Sequence, residues 1–495
     1  MKQLTVLFLA IMPILISTLY LGPVGAAITT APVDDNWPMI NHDLSHTGYS
    51  TSQAPKTNQI LWTYQTGGAV KTSPAVVNSI VYFGSDDGYI YAVNALNGSL
   101  IWKYNTYGPV QSSPAVVDGV VYIGGYHSHA VFALNAYTGA LIWSSPVNSV
   151  YPNQISSIAV ANGLVYVSVQ TGISTSRAYS GEVYAFNAST GNLAWLYFPV
   201  PGFNIASSPA IYGGDIYFCN DGGLVIALDA VSGKQLWSVL IQRHNESSSG
   251  SYSPLYCSVS VSNGLLYVGS QVQFVQALNA SNGAFVWSND VAGGVLFSTP
   301  AVANGVVYVS TTLGGPFGSL QSGGVTALDA KTGAFLWNHV VGSIRYSSPA
   351  VANGTVFVGS DEGGSIFKPS SGHMIYALNI STGATSWTYT TGSEVYSSPA
   401  VTNGLVYVGS NDGKVYAIGA SQDNVPSQTP SVPDLPLWLA LYVVISTIVL
   451  IISWKQNKKI KSKKPVYTAF GLHANPEFTA ATAINFTKLS TQLKL

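Results

Sequence analysis

The sequence predicts an all-β fold, an eight-bladed β-propeller of four-stranded antiparallel blades. One observation is a tryptophan that recurs at intervals of 40 to 52 residues. The second is a set of three short segments that keep the same order between these tryptophans. The third is an Asn-Gly or Asp-Gly pair between the first two segments, which is a strong signal for a tight β-hairpin. A unit of this length with four strands is typical of one propeller blade.

Each repeat reads as four strands, A to D. Strand A carries Ser-Pro-Ala-Val or a variant, strand B Val-Tyr-Val-Gly-Ser, and strand C Tyr-Ala-Leu-Asn-Ala. Strand D carries the tryptophan that we expect to dock one blade on the next. These tryptophans are Trp62, Trp102, Trp143, Trp195, Trp237, Trp287, Trp337 and Trp387.

The order of the repeats predicts how the ring closes. The first Trp strand, Ile60–Gln65, precedes every strand A, and the last unit stops at Gly419 with no Trp strand after it. We therefore expect the Trp62 strand to complete the eighth blade, which would remove the last open sheet edge.

The two ends predict a membrane protein. Residues 1–27 resemble a signal peptide, with Lys2, an apolar stretch and Val24-Gly25-Ala26 at the cleavage region, although a retained anchor is the alternative. Residues 28–59 form a lead-in, 60–420 the propeller, and 421–436 a Pro/Ser/Thr stalk. Residues 437–454 are apolar and uncharged, long enough for one transmembrane helix.

The charges predict the topology. Residues 455–495 hold eight lysines, which by the positive-inside rule makes this tail cytoplasmic. Residues 28–434 hold 10 basic and 19 acidic residues, so the predicted ectodomain is acidic. We expect a single-pass protein of the cell membrane with an extracellular propeller and no nucleic-acid partner, because no cationic excess exists there. Cys219 and Cys257 would form either one disulfide or two buried thiols.

The repeat resembles a known family. The pattern Ala-x-Asp-Ala-x-Ser-Gly-x-x-x-Trp at 227–237 is similar to the tryptophan-docking repeat of the quinoprotein (PQQ-like) propellers, and Trp37-Pro38-Met39 with Asp43 and Thr47-Gly48 looks like their opening segment. The family includes quinone-dependent dehydrogenases and cofactor-free members such as the BamB-like assembly scaffolds. The adjacent cysteine pair expected of a dehydrogenase is absent, so the resemblance is closer to the non-catalytic members.

Few motifs indicate catalysis, and we predict no catalytic residues and no metal ligands. Acidic pairs such as Asp86-Asp87 and Asp361-Glu362 fit either calcium loops or hairpin turns, and turns require these residue types. His127 and His129 lack an evident third ligand. We expect no cofactor, and PQQ with calcium only if the chain is a dehydrogenase.

Two candidate binding sites lie on one predicted face. The B–C and D–A loops are the long ones, so a partner protein of the cell envelope is expected to dock on them. The loop candidates are His127, His129, Arg177, Arg243, His244, Lys368 and His373. The residues entering strand A predict an axial mouth for an anionic or aromatic ligand, unless their side chains simply plug the channel. They are Lys71, Gln111, Tyr256, Phe297, Arg345, Tyr346 and Tyr396.

The sequence thus predicts a cell-surface scaffold or binding module without catalytic activity. The alternatives are a PQQ-dependent alcohol or sugar dehydrogenase and a structural envelope component. Asn-x-Ser/Thr sequons on the predicted outer part could carry glycans, and the sequon at Asn485 should stay unmodified.

Overall fold

The structure is an eight-bladed β-propeller. The computed structural model describes residues 36–126, 128–147, 155–171, 180–199, 203–205, 207–241, 258–291, 294–295, 297–312, 323–341, 343–361 and 373–419. These residues form eight separate sheets, and within each blade the strands follow one another as antiparallel neighbours. The predicted fold class is therefore confirmed for the propeller.

The strands have the following bounds. The lead-in contributes β1 (Tyr49–Ser50), and β2 (Ile60–Gln65) is the first strand of the propeller segment. Blades 1 to 3 contain β3 (Ala75–Val77), β4 (Ile80–Gly84), β5 (Tyr89–Asn94), β6 (Leu100–Asn105), β7 (Ala115–Val117), β8 (Val120–Gly125), β9 (Ala130–Asn135), β10 (Leu141–Pro146), β11 (Ala159–Ala161), β12 (Leu164–Thr171), β13 (Ser180–Asn187) and β14 (Leu193–Tyr197).

The remaining blades repeat the arrangement. Blades 4 to 6 contain β15 (Ala210–Tyr212), β16 (Asp215–Cys219), β17 (Leu224–Asp229), β18 (Gln235–Leu240), β19 (Ser260–Ser262), β20 (Leu265–Ser270), β21 (Phe274–Asn279), β22 (Phe285–Asp290), β23 (Ala301–Ala303), β24 (Val306–Thr311), β25 (Gly324–Asp329) and β26 (Phe335–Val340). Blades 7 and 8 contain β27 (Ala350–Ala352), β28 (Thr355–Gly359), β29 (Met374–Asn379), β30 (Thr385–Thr390), β31 (Ala400–Thr402), β32 (Leu405–Gly409) and β33 (Lys414–Ile418).

The A–B hairpins have the backbone that their sequence predicts. Asn162, Asn263, Asn304 and Asn403 have φ of 51–52°, and the glycine after each also has positive φ. Two consecutive residues with positive φ define the type I′ turn, whose twist matches that of the flanking strands. The A–B and C–D turns form one end of the ring, here called the short-turn face. The B–C and D–A connections form the other end, the long-loop face.

Each tryptophan of strand D joins two blades. The Trp102 indole donates from Nε1 to the carbonyl of Ala136 in blade 2 at 2.7 Å. A Cβ on Gly139 would lie 2.7 Å from the same ring, so the indole packs directly on the glycine of the neighbouring C–D turn. Tyr82 in strand B contacts the ring from within the blade, with centroids 6.0 Å apart. The same contacts recur around the ring, so the spacing of the tryptophans reflects inter-blade packing.

The ring closes between the two ends of the propeller chain. Strand β2 pairs with β33, with Trp62 opposite Ala417, and so completes blade 8 as the order of repeats predicts. Blade 8 has no C–D turn of its own to receive Trp387. The carbonyl of Pro55 in the lead-in takes this place and accepts the Trp387 Nε1 hydrogen bond at 3.1 Å.

A belt of hydrogen bonds explains the Ser of the Ser-Pro-Ala-Val motif. The backbone N–H of the Ser or Thr at this position in one blade donates to the side-chain hydroxyl of the equivalent Ser in the next blade. The last of these hydrogen bonds runs from blade 8 to blade 1. The described links are Ser73 to Ser113 (2.9 Å), Ser113 to Ser157 (3.2 Å), Ser157 to Ser208 (3.2 Å), Ser208 to Ser258 (2.8 Å), Thr299 to Ser348 (2.8 Å), Ser348 to Ser398 (2.9 Å) and Ser398 to Ser73 (2.9 Å). Buried amides are thereby satisfied while neighbouring blades are fixed to one another.

The lead-in closes the channel at the short-turn face, a role that sequence reasoning missed. Residues 37–50, here called the plug, bond to the inner strands of blades 1, 2, 4, 5, 6 and 7. The N–H of the central inner-strand residue donates to the plug in each case: Val76 to Trp37 (2.7 Å), Val116 to Pro38 (2.8 Å), Ile211 to Leu44 (2.6 Å), Val261 to Ser45 (2.8 Å), Val302 to Thr47 (2.7 Å) and Val351 to Gly48 (2.7 Å). Strand β1 then adds a parallel fifth strand to blade 7. The plug thus covers the inner edges of six sheets.

Buried polar groups hold the plug in shape. Asp43 accepts hydrogen bonds from the backbone N–H of Ser45 and of Thr47, each at 3.0 Å, and from the Thr47 hydroxyl. His46 is 1% exposed, and its Nδ1 lies 3.2 Å from the Val259 carbonyl. Burial lowers the pKa of His46 to about 4, although the Asp43 charge opposes the shift. His46 is therefore neutral at neutral pH.

The predicted segments at the two ends lie outside the described residues. This applies to the signal peptide, the stalk, the helix at 437–454 and the tail. Within the part of the chain that the structure describes, no helix is long and apolar enough to cross a membrane.

Candidate functional site

The axial mouth lies at the long-loop end of the channel, opposite the plug. The predicted mouth residues that the structure describes lie just before the inner strands, at this end of the ring. Phe297 precedes β23, Tyr346 precedes β27, Tyr396 precedes β31 and Lys71 precedes β3. Blades 6, 7, 8 and 1 therefore each contribute one such side chain.

Three of the predicted mouth residues form an aromatic row. The Phe297 and Tyr346 rings stack with centroids 4.7 Å apart, and Tyr346 contacts Tyr396 at 4.4 Å with a tilt of 41°. Phe297 is 37% and Tyr346 36% exposed, which is unusual for large rings in contact with each other. The row presents apolar surface to solvent on a backbone fixed by the neighbouring inner strands.

The predicted cation Lys71 is already paired. Its Nζ lies 2.6 Å from the carboxylate of Asp86, which also accepts a hydrogen bond from Gln111 at 3.0 Å. The expectation of an anionic ligand rested on the charge of Lys71 and of Arg345. Pairing Lys71 with Asp86 reduces the attraction that it exerts on an anion.

Arg345 has a similar carboxylate neighbour. The backbone N–H of Arg345 donates to Asp361 Oδ2 at 3.0 Å, and its Nε lies 3.7 Å from the same oxygen. Asp361 is only 4% exposed. Burial raises the pKa of Asp361 to about 6, against the opposing effects of the hydrogen bond from Arg345 and of its charge. Glu394 adds like charge, so Asp361 titrates closer to neutrality than an ordinary aspartate.

The acidic pairs divide into two roles. The backbone N–H of the first residue of each pair donates to a carbonyl of the preceding D–A connection, from Asp86 to Ala69 and from Asp361 to Ser343, each at 2.9 Å. In the Asp86-Asp87 pair the second residue closes the turn, since Asp87 accepts from the backbone N–H of Tyr89 at 3.1 Å and from the Tyr91 hydroxyl at 2.7 Å. Sequence reasoning treated both as turn residues. The sequence signal that distinguishes the first residue of a pair from the second is its position directly after the Gly-Ser that ends the strand B motif.

The remaining candidates are only partly described. His129 follows β8 with φ of 47°, and the His373 carbonyl accepts the Thr391 amide at 2.8 Å. No described contact joins these two histidines to each other or to the aromatic row. The other predicted loop and mouth residues lie outside the described part of the chain: His127, Arg177, Arg243, His244, Lys368 and Tyr256. Cys219 is fully buried on β16, and Cys257 also lies outside.

The described mouth does not fit the calcium and quinone pair of a dehydrogenase. Calcium takes six to eight oxygen ligands converging on one point. Here Asp86 is bonded to Lys71 and Gln111, and Asp361 is bonded to Arg345, so their carboxylates face separate partners. Among the residues that the structure describes, no three His, Cys, Asp or Glu side chains group as metal ligands.

The repeated blades, the tryptophan docking and the closed ring define a class of protein, the tryptophan-docked β-propellers. A family model described as outer membrane protein assembly factor BamB matches four overlapping stretches, residues 47–172, 128–258, 221–373 and 321–425. Together these stretches cover most of the chain, and the protein belongs to this PQQ-like, BamB-type family.

Curated relatives match over part of their length. Tetrathionate hydrolase of Acidithiobacillus ferrooxidans is 27% identical over 329 residues, which cover 61% of this chain and 53% of the relative. BamB of Yersinia pestis is 37% identical over 130 residues, which cover 26% of this chain and 30% of the relative. The chain thus spans about half or less of the curated relatives that it matches.

Solved structures share the fold at low sequence identity. Quinohemoprotein alcohol dehydrogenase from Comamonas testosteroni superposes with a TM-score of 0.64 at 17% identity, covering 78% of this chain and 81% of that one. BamB from Moraxella catarrhalis gives a TM-score of 0.56 at 18% identity, covering 73% and 99%. The fold is therefore common to enzymes and to an assembly factor, and it does not decide between them.

Proposed function

We propose that this protein is a membrane-anchored, cell-surface propeller that acts as a non-catalytic binding or scaffold module. The aromatic row at the mouth, Phe297, Tyr346 and Tyr396, is the observation that carries the proposal. Exposed aromatic rings on a rigid backbone are typical of interaction surfaces, because they bury much apolar area at little entropic cost. The serine belt and the plug supply that rigidity.

The partner is a protein of the cell envelope or a small ligand with apolar surface. BamB relatives support the protein partner, since their name describes an assembly factor of the outer membrane. The apolar run at 437–454 and the lysines after it support anchoring by one span. The same charge distribution supports an extracellular propeller.

A photo-crosslinking amino acid tests the docking face. It replaces Tyr346 at the mouth in the full-length chain in its native membrane, and Asn263 on the short-turn face in a matched control variant. We expect one discrete protein adduct from position 346 and none from 263. The adduct should weaken when Phe297→Ser is added, because that change removes one ring of the row. Equal adducts from both positions would contradict a partner site at the mouth.

A PQQ-dependent dehydrogenase is the second candidate. A pKa of about 6 would suit a group that takes up a proton near neutral pH, but the Asp361 carboxylate faces Arg345 and is not part of a set of converging calcium ligands. The tetrathionate hydrolase relative also carries an enzyme name. Calorimetric titration of the full-length chain with PQQ, with and without calcium, followed by a dye-linked alcohol oxidation assay, separates the candidates. The scaffold proposal expects no turnover, and saturable binding with turnover would establish the dehydrogenase.

A further inference from the structure

Exposed large apolar side chains concentrate at the short-turn face. Of the twenty that the described residues contain, fourteen lie in the C–D turns, at the start of strand D or, for Tyr212, at the end of strand A. We call them the apolar rim. They are Leu96, Leu100, Ile101, Tyr137, Leu141, Ile142, Leu193, Tyr212, Val231, Leu236, Phe285, Val286, Phe335 and Leu336. Phe335 is the most exposed phenylalanine of the rim, at 59%.

A β-bulge produces this exposure. In blade 6 Phe335 pairs with Leu328 and Trp337 with Ala327, so Leu336 has no partner across the C–D ladder. Because the extra residue interrupts the alternation of faces, two successive side chains before the tryptophan point away from the core. In blade 1 the pair is Leu100 and Ile101. The rim therefore repeats with the blades over blades 1 to 6.

Blades 7 and 8 show that the fold does not require an exposed apolar pair. In blade 7 the two positions are Thr385 and Ser386, both exposed. In blade 8 they are Ile60 and Leu61, which are half-buried and pack against the core cluster that contains Trp62. The apolar residues of blades 1 to 6 are thus not needed for blade packing, and clustered exposed apolar side chains indicate a contact surface.

The chain leaves the propeller from this same face. Strand β33 runs from the long-loop face to the short-turn face and ends at Ile418, and the Gly419 amide then donates to the Gln59 carbonyl at 2.8 Å. Residues 420–436 lead from there to the apolar run at 437–454. Seventeen residues span at most about 60 Å when fully extended. A bilayer that holds the apolar run is therefore within reach of the rim.

We propose that the apolar rim rests on the lipid surface of the membrane that anchors the chain, so that the axial mouth faces away from the membrane. This inference rests on the anchoring in the proposed function. Leu, Ile, Phe and Tyr side chains held at one face bury their apolar parts at the boundary between headgroups and acyl chains. The contact fixes the orientation of the propeller and leaves the long-loop face open to a partner.

Lipid photo-crosslinking tests the contact. The full-length chain is reconstituted in phosphatidylcholine vesicles that contain a phosphatidylcholine with a diazirine in one acyl chain, and lipid adducts are mapped by mass spectrometry after proteolysis. We expect adducts on peptides with Leu100–Ile101, Phe285–Val286 and Phe335–Leu336. Peptides with Thr385–Ser386 or with Tyr346 should stay unlabelled.

A matched variant uses the natural pair of blade 7. Leu100→Thr, Ile101→Ser, Phe285→Thr, Val286→Ser, Phe335→Thr and Leu336→Ser convert three blades to the Thr-Ser pair that blade 7 already tolerates. We expect the rim adducts to fall about tenfold, since each lost apolar contact weakens the lipid interaction. An unchanged circular dichroism spectrum and thermal midpoint show that the variant is folded.

Each outcome is informative. A chain that floats with the vesicles and labels in 437–454 but not at the rim overturns the inference and leaves the anchoring intact. A chain that does not float overturns the anchoring itself. Crosslinks between the rims of two copies instead of lipid adducts assign the rim to self-association and also overturn the inference. Asn97 and Asn279 lie in the turns of the rim. Detection of N-linked glycans at either residue would also overturn the inference, because a glycan would hold this face away from lipid.

Discussion

At the residue scale, two buried ionisable side chains lie near the axis of the ring, where the inner strands of the blades meet. Asp361 and His46 lie at opposite ends of the channel, and burial shifts the pKa of each toward its neutral form. Asp361 stabilises the fold most when it is protonated, whereas His46 does so when it is deprotonated. Their contributions to stability therefore change in opposite directions with pH.

Asp361→Asn should increase stability at neutral pH. Folding raises the pKa of Asp361 from about 3.8 to about 6, so the wild type loses stability as the pH rises through this interval. Asn keeps an oxygen for the Arg345 amide and carries no charge, and it occupies the equivalent position in blade 8 as Asn411. The expected difference in unfolding free energy is near zero at pH 4 and at most about 3 kcal/mol at pH 7.5.

Denaturant titrations of the two chains at several pH values measure this difference. Asp118→Asn, in an exposed A–B turn where other repeats have Asn, controls for the loss of one negative charge. A difference between wild type and Asp361→Asn that does not vary with pH would contradict the raised pKa.

At the element scale, the contact between tryptophan and glycine is the repeating inter-blade joint. Gly139 has φ of 70°, and a Cβ there would lie 2.7 Å from the Trp102 ring. Gly163 has nearly the same φ, 73°, but a Cβ there would meet nothing within 4 Å. An alanine at either position is strained by the same backbone conformation, but only at position 139 does it also meet the indole. Comparing the two substitutions therefore separates the cost of backbone strain from the cost of lost packing.

Gly163→Ala should cost about 1 to 2 kcal/mol, the strain of a left-handed alanine. Gly139→Ala carries the same strain and also displaces the Trp102 indole, so it should cost about 1 to 3 kcal/mol more. Urea unfolding monitored by tryptophan fluorescence measures both variants. Equal losses from the two substitutions would show that the indole contributes little to the joint.

At the scale of the whole molecule, the chain closes its own ring twice. Strand β2 completes blade 8, and the plug bonds to the inner strands of six blades. Both devices come from residues 37–65, so the last blade and the channel depend on residues far away in sequence. This arrangement favours cooperative unfolding of all blades, since opening one joint releases the constraint on the others.

Replacing residues 37–50 by a Gly-Ser linker should expose inner-strand amides selectively. Val116, Ile211 and Val302 lose their acceptors in the plug, so their amides should exchange with deuterium markedly faster. The Ser113 amide, which is bonded to Ser157, serves as an internal control because the serine belt does not involve the plug. Native-state hydrogen exchange by mass spectrometry resolves these peptides. Unchanged protection of the inner strands would mean that the plug is dispensable for them.

The sequence by itself determined the architecture, because blade number, strand order and closure follow from local signals that repeat eight times. Asn-Gly pairs encode type I′ turns, alternating apolar residues encode strands, and the position of the Trp62 strand encodes the closure. The turn and strand signals act between neighbours in the chain and the tryptophans act between adjacent repeats, whereas the closure follows from the order of the strands along the whole propeller.

Only the tertiary structure decided the role of the lead-in and the chemistry of the mouth. The plug bonds through its backbone, whose hydrogen bonding leaves little trace in residue type, and it occurs once rather than eight times. The pairing of Lys71 with Asp86 and the burial of Asp361 likewise depend on how the blades bring distant connections together. Whether a charged side chain is available to a ligand depends on whether an opposite charge lies beside it. The closed ring decides which side chains lie side by side.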